Sequence, residues 1–368
     1  MQWRNGAIFL FTWIFSGFTS VAQVKQNTFE KLLTAPKSYV IFHTTDAITV
    51  DGKPLEKSWQ KARWSDKFVD IEGADKPRPT YSTRFKMLWD QQSLFVYAEL
   101  EEPHIWAYYD TNDMIVFHEN DFEIFLDPTR DTHNYYEFEI NAQNVILDLV
   151  MNKAYRSDGT FNLHWNAEGF RSAVHLEGTL NDPSDMDTKW CVEMQIPFSS
   201  LSTNDEYVQP QDGSLWKINF SRVQWQTEVK NGKYVKKKDP ETGKNLHENN
   251  WVWSPQGVIN MHYPERWGLV RFSEKPAGSI VDFELPDDEV LRKYLWETYY
   301  HQQQFRRAHK RFATSLNELK MAESGEDAGL TFQLNMKADS TKFLLTLTAD
   351  NGLVITIDQE GFAQQATK

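Results

Sequence analysis

The chain has one cysteine in 368 residues. It can therefore close no internal disulfide, build no cysteine-ligated metal site and run no dithiol cycle. Cys191 sits in the alternating run Lys189-Trp-Cys-Val-Glu-Met-Gln-Ile196, where a buried, inert thiol is expected. Phosphate loops, dinucleotide fingerprints, a Gly-x-Ser-x-Gly elbow and a His-x-x-x-His pair with a local glutamate are all missing, so the common nucleotide, triad and zinc signatures do not apply. Positive charge is scarce. The 39 Lys and Arg face 52 Asp and Glu, a net charge of -13, and no basic tract resembles a nucleic-acid arm, so no nucleic acid is expected as partner. Long apolar runs are short in supply too. The run from Ala7 to Phe15 is too short for a confident membrane span. With Arg4 before it and Ser20-Val-Ala-Gln23 after it, the segment 1–23 reads as a signal peptide. No cysteine follows to take a lipid. The expectation is a secreted or periplasmic protein with no membrane span in the mature chain, a retained anchor being the alternative.

What is present in quantity is aromatic: 14 Trp, 14 Tyr and 24 Phe within a 40% apolar composition. That suffices for a large core and is not a disordered composition. Much of it alternates with period two, the mark of half-buried strands. Strands are expected at 39–42, 47–50, 83–89, 93–100, 120–128, 134–141, 144–151, 170–180, 189–196, 215–226 and 267–272, with a short helix or turn near Trp59 and a polar loop or hairpin over 229–250. Many short strands with turn signals between them predict a mainly β fold, an antiparallel β-sandwich over 37–273. Beyond Pro286 the pattern changes. Asp287-Asp-Glu289 opens a helix with acids in its first turn. Strands at 330–336, 343–348 and 353–357 follow, the last two joined at Asp350-Asn-Gly352. Residues 286–368 thus read as a small C-terminal α+β appendage, and the basic run Arg306 to Arg311 within it is expected to face water or an acidic surface of the sandwich.

The most informative stretch is the pair Asn120-Asp-Phe-Glu-Ile-Phe-Leu-Asp-Pro128 and Asn134-Tyr-Tyr-Glu-Phe-Glu-Ile-Asn141. Alternation puts Phe122, Ile124 and Leu126 on one face and Asp121, Glu123, Phe125 and Asp127 on the other. In the second run Glu137 and Glu139 oppose Tyr136, Phe138 and Ile140. A surface gathering Asp121, Glu123, Glu137 and Glu139 is either solvated, paired with Arg84 or Lys86 from a nearby strand, or holding a cation. An oxygen-only set suits a structural calcium, with Asp127 and Asp131 as further contributors. Two carboxylates across a sugar cleft can also serve as acid and nucleophile, which makes Glu123 and Glu137 the alternative catalytic pair. Exposed aromatics offer platforms for sugar rings. Trp106, Tyr108, Tyr109, Trp165, Trp251, Trp253 and Tyr263 are candidates, each with core packing as the competing role.

Several segments together resemble carbohydrate-binding module family 9 in its stand-alone, family 9-like form: Ile48-Thr-Val-Asp-Gly52 with Trp59-Gln-Lys-Ala62, Phe85-Lys-Met-Leu-Trp-Asp90 with Leu94 to Leu100, the acidic pair of strands, and Tyr263-Pro-Glu-Arg-Trp-Gly268. The resemblance implies a β-sandwich, bound calcium, recognition of glucan or xylan sugars and service to glycoside hydrolases as partners. It also implies a clamp of two tryptophans around the sugar. Phe117 and Met261 stand at the matching positions, so neither keeps tryptophan, and Trp106 or Trp253 are the substitutes. Arg84 is the implied hydroxyl-binding residue. Three functions follow: an exported protein that binds oligosaccharide or polysaccharide, a glycoside hydrolase, or a non-catalytic envelope interaction protein.

Overall fold

Thirteen strands make one large sheet. In chain order they are β1 (Ser38–His43), β2 (Val69–Asp70), β3 (Thr83–Trp89), β4 (Ser93–Glu101), β5 (Asp121–Asp127), β6 (Tyr135–Asn141), β7 (Ile146–Met151), β8 (Phe161–Asn162), β9 (Arg171–Glu177), β10 (Lys189–Pro197), β11 (Leu215–Gln224), β12 (Asn249–Val252) and β13 (Gly268–Pro276). The computed structural model describes residues 29–203, 206–207 and 209–366, so the expected signal peptide lies outside the described residues. The strand path is β8-β7-β6-β5-β11-β13-β1-β3-β4-β10-β9, with β12 and β2 branching from β11. Its two ends fold over each other. Phe85 of β3 meets Phe220 of β11 with ring centroids 3.9 Å apart, and one core cluster joins Met87, Val96 and Val192 to Phe122, Ile124 and Phe138. This gives the two stacked layers of a sandwich.

The sheet is mixed rather than purely antiparallel. β1 runs parallel to both neighbours, with Tyr39 beside Val270 and Phe42 beside Leu88. A parallel pair needs a long crossover, and residues 44–82 supply it between β1 and β3. The expected strand at 47–50 is irregular within that crossover. The short helix there is Lys57–Lys61, and it buries Trp59. The polar stretch forms a hairpin, Thr227–Lys230 against Lys233–Lys236. Among the described residues no helix is long and apolar enough to cross a membrane.

Helix α1 (Asp287–His309) starts at the expected residue. It packs on a five-stranded meander of β14 (Ser324–Asp327), β15 (Leu330–Ala338), β16 (Phe343–Ala349), β17 (Val354–Asp358) and β18 (Ala363–Gln365). Leu291, Leu295 and Tyr299 of α1 share a second core with Leu345, Leu347 and Ile355. The acids of its first turn also reach the sandwich: Asp288 pairs with Arg130 at 2.8 Å, and Glu289 pairs with the buried Lys217. The basic run faces water, apart from Arg311, which pairs with Glu318 at 2.8 Å.

Candidate functional site

Antiparallel pairing of β5 and β6 sets Glu123 opposite Glu139, Asp121 opposite Asn141 and Phe125 opposite Glu137. β7 adds Leu147 beside Glu139 and Leu149 beside Glu137. β11 adds Ser221 beside Glu123 and Val223 beside Asp121. Directly opposed residues share a face, so one sheet surface carries four carboxyls framed by aliphatic side chains. This surface is not solvated. Asp121 is 0% exposed, Glu123 and Glu137 5% and Glu139 3%, because loops from distant parts of the chain fold over it. Nor do the expected cations reach it. Arg84 donates to Glu99 from Nη2 at 2.9 Å and lies 3.8 Å over the Trp64 ring. Lys86 Nζ donates to the Trp59 carbonyl at 2.6 Å. Both sit on β3, in the other half of the sheet. Asp127 is spoken for as well: its oxygens accept the Arg130 and Thr132 amides, each at 2.8 Å, and so shape the β5–β6 turn. Asp131 accepts the His133 amide at 2.8 Å.

The covering loops leave a cleft of about 600 Å³, with Glu123, Glu137 and Glu139 in its floor. That is the size of a small-molecule site. Phe117, Tyr155, Phe161 and Ile259 line its walls and are at least 40% exposed, four of the ten exposed large apolar residues among those described. Exposed apolar side chains gathered in one place are what a recognition surface requires. Met261 and His262 line it too, the His262 ring 4.4 Å from that of Tyr155. Thus Phe117 and Met261, separated by 144 positions in the chain, line one cleft. The Phe117 amide donates to Glu139 Oε2 at 2.9 Å, and its carbonyl accepts Trp225 Nε1 at 3.0 Å, which ties the rim to the acidic floor.

The other aromatic candidates lie elsewhere. Trp253 is 1% exposed and part of the main core. Trp106 is 5% exposed and packs against Tyr108 at 5.7 Å. Neither, nor Arg84, belongs to the cleft walls. An indole with no open face cannot stack on a sugar, and alternation alone did not tell a plugged core from a platform. Tyr155, Phe161, Trp225 and His262 were missed. Tyr155 lies in a short turn and Phe161 opens the two-residue strand β8, both too short for periodicity; only their being aromatic in polar surroundings could have flagged them.

Burial, and then repulsion from Glu123 and Glu139, holds the Asp121 carboxyl well above the usual range. Burial pushes Glu123 to about 7. Burial and neighbouring carboxyls raise Glu137 and Glu139 likewise. Oxygens of Asp121, Glu123 and Glu139 lie within 4.8 Å of one another, close enough to ligate one ion. Glu137, one register step along, is outside that group. The donor set is all carboxylate oxygen, and Asp121 Oδ2 is buried without a hydrogen-bond partner. A buried orphan oxygen is costly, and a hard divalent cation would satisfy it. These residues therefore fit such a cation.

His262 gives a pH prediction. Its ring lies edge-on to Tyr155 at 4.4 Å, its Nδ1 lies 2.9 Å from the Tyr135 hydroxyl, and burial pulls its pKa down to about 4. A histidine depressed on folding stabilises the native state above its unfolded pKa near 6.5, and that stability is lost as pH falls toward 4. His262 is expected to contribute a loss of about 3 kcal/mol over that window, a contribution that His262→Phe removes. Urea midpoints at stepped pH check this; parallel profiles would refute it.

No curated protein matches the chain. Among solved structures, a carbohydrate-binding protein candidate from Bacteroides uniformis is similar over 65% of this chain and 100% of its own, at 17% identity and a TM-score of 0.48. A family 9 carbohydrate-binding module from Caldicellulosiruptor kristjanssonii, solved with cellotriose and with glucose, covers 67% of this chain and 100% of its own. Its identities are 16% and 15%, and its TM-scores 0.40 and 0.39. The family model described as carbohydrate family 9 binding domain-like matches residues 50–270, more than half the chain and the whole stretch that builds the cleft from Ile71 to His262; the chain belongs to that family.

Proposed function

We propose that the protein binds a carbohydrate in this cleft without transforming it. The observation that carries the reading is the meeting of Phe117 and Met261, with Tyr155 and Phe161, over a floor of hydrogen-bonding carboxyls. Apolar sugar faces lie on rings while polar groups fix the hydroxyls. The acids support binding rather than turnover. A retaining glycosidase needs one of its two carboxyls kept ionised as the nucleophile, whereas burial raises both Glu123 and Glu137. We also propose that Asp121, Glu123 and Glu139 hold calcium, since a flexible all-oxygen set suits it. Export, read from residues 4–23, would place the chain where polysaccharides are met, alongside the hydrolases that degrade them.

Phe117→Ala keeps the amide that Glu139 accepts and removes only the ring. It is expected to weaken glycan binding about tenfold, the loss of ~1–1.5 kcal/mol of stacking, with the melting temperature little changed. A glycan array followed by titration calorimetry measures it. Absence of any glycan ligand for the wild-type protein, with calcium supplied, would sink the reading.

A further inference from the structure

We propose that the cation is itself part of the recognition surface: held from below by Asp121, Glu123 and Glu139, it takes vicinal hydroxyls of the sugar as its cleft-side ligands. This rests on the reading of the cleft as a carbohydrate site and goes beyond a structural role for the ion.

The geometry argues it in three steps. The acids have no counter-charge of their own, because the described residues lining the cleft include no lysine or arginine. Asp121 Oδ2 is fully buried with no partner, yet lies within ligating distance of carboxylate oxygens of Glu123 and Glu139. The last two line the cleft, so an ion bound to all three sits at its floor.

Calcium asks for six to eight oxygens, and this set cannot provide them all. Asp121 Oδ1 is turned toward the Val223 amide at 3.3 Å. Glu139 Oε2 already accepts the Phe117 amide at 2.9 Å. The strands close the inner side, so the further ligands come from the cleft, where water, a sugar diol and the lining carboxylates Glu137 and Glu248 are the available oxygens. Phe117 then has two roles: its amide anchors a metal ligand, and its ring guards the open side of the ion.

A sugar ammonium is the competing cation for such a floor. Asp121 decides against it. The side chain is 0% exposed and lies beneath the wall rather than on it. A bare ion can settle among the three carboxylates, whereas an amine carried on a pyranose ring would stop at the level of Glu123 and Glu139.

The test uses the full chain, stripped of metal. Calcium binding is titrated by calorimetry, and a glycan array of neutral, acidic and amine-bearing sugars is read in EDTA and in calcium. The expected result is glycan binding that disappears in EDTA while near-ultraviolet dichroism stays native, and returns with calcium. Asp121→Asn, of unchanged shape, should weaken calcium binding about tenfold or more and glycan binding with it. Phe117→Ala should keep the calcium and weaken glycan binding about tenfold. With Mn²⁺ in place of calcium, paramagnetic relaxation of the bound glycan should be strongest at protons beside one pair of adjacent hydroxyls. Glycan binding that persists in EDTA, or relaxation spread evenly over the ring, overturns the bridging ion and leaves the carbohydrate reading standing. EDTA-resistant binding confined to amine-bearing glycans overturns it in favour of the ammonium. Calcium bound with no glycan in any condition overturns the carbohydrate reading, and the bridge with it.

Discussion

Trp253→Ala is expected to cost about 3–5 kcal/mol of stability and to leave glycan affinity of the folded protein unchanged. The indole is 1% exposed and lies directly over Gly268, where a Cβ would stand 2.1 Å from the ring. Phe85 meets it at 5.2 Å and 89°, and Tyr39 at 6.4 Å and 87°. The ring thus joins β1, β3 and β13 at the place where the sheet changes from antiparallel to parallel pairing. Its removal opens a cavity among rigid aromatic rings, which relax poorly, so the cost belongs at the upper end for a core truncation. Denaturant unfolding gives the stability and calorimetry the affinity. Weaker glycan binding at unchanged stability would return Trp253 to the cleft and remove the argument from burial.

Much of this fold is legible in the sequence because a pleated strand writes its two faces into alternate positions. Glu123 and Glu139 share a surface, and Phe122 and Phe138 share the core, for that reason alone. The start of α1 is legible as well, since Pro286 and three acids favour a helix N-terminus. What covers the acidic surface is not. The cleft is lined by Ile71, Tyr155, Phe161, Asn250 and Met261, brought together only by the closed fold, so the solvated and the sequestered versions of Glu123 look the same in one dimension. The direction of β1 leaves no trace in composition, because parallel and antiparallel ladders bury the same side chains. Trp251-Val-Trp253 shows the limit most clearly. Extended backbone sends both indoles the same way, and only the partner layer decides that the surface they meet is core.

The acids of the cleft also explain why such a floor costs the protein something without its ion. Four carboxyls taken out of water resist ionising together, and a divalent cation competes with protons for their oxygens. The same burial that destabilises the metal-free sheet would strengthen the proposed hold on an ion and, through it, on a ligand. Function here is concentrated where local stability is given up, consistent with the cleft lying on the outer face of β5 and β6 rather than in the core.

Arg156→Ala is expected to destabilise the protein by about 3–5 kcal/mol and, unlike Trp253→Ala, to weaken glycan binding as well. Arg156 reaches Glu265 with Nη1 to Oε1 at 2.8 Å and Nη2 to Oε2 at 2.9 Å, and lies 4.5 Å over the Tyr263 ring and 5.5 Å over Trp296 and Tyr299 of α1. The Tyr300 hydroxyl of the same helix donates to Glu265 Oε1 at 2.6 Å. The ion pair therefore fastens the appendage to the sandwich. Truncating the arginine strands a carboxylate whose side chain is 2% exposed, and an unpaired buried charge costs more than the pair was worth. The coupling to the cleft is local: Tyr155 precedes Arg156 in the same turn, Met261 and His262 precede Tyr263 and Glu265, and all three of those neighbours line the cleft. The appendage, which carries no recognisable chemistry in its sequence, thereby holds one wall of the site in place. Arg156→Met with Glu265→Met should recover most of the lost stability, because no charge is left unpaired. If glycan affinity returns with it, the wall needed only to be fastened; if Arg156→Ala leaves affinity untouched while stability falls, the appendage and the cleft are independent.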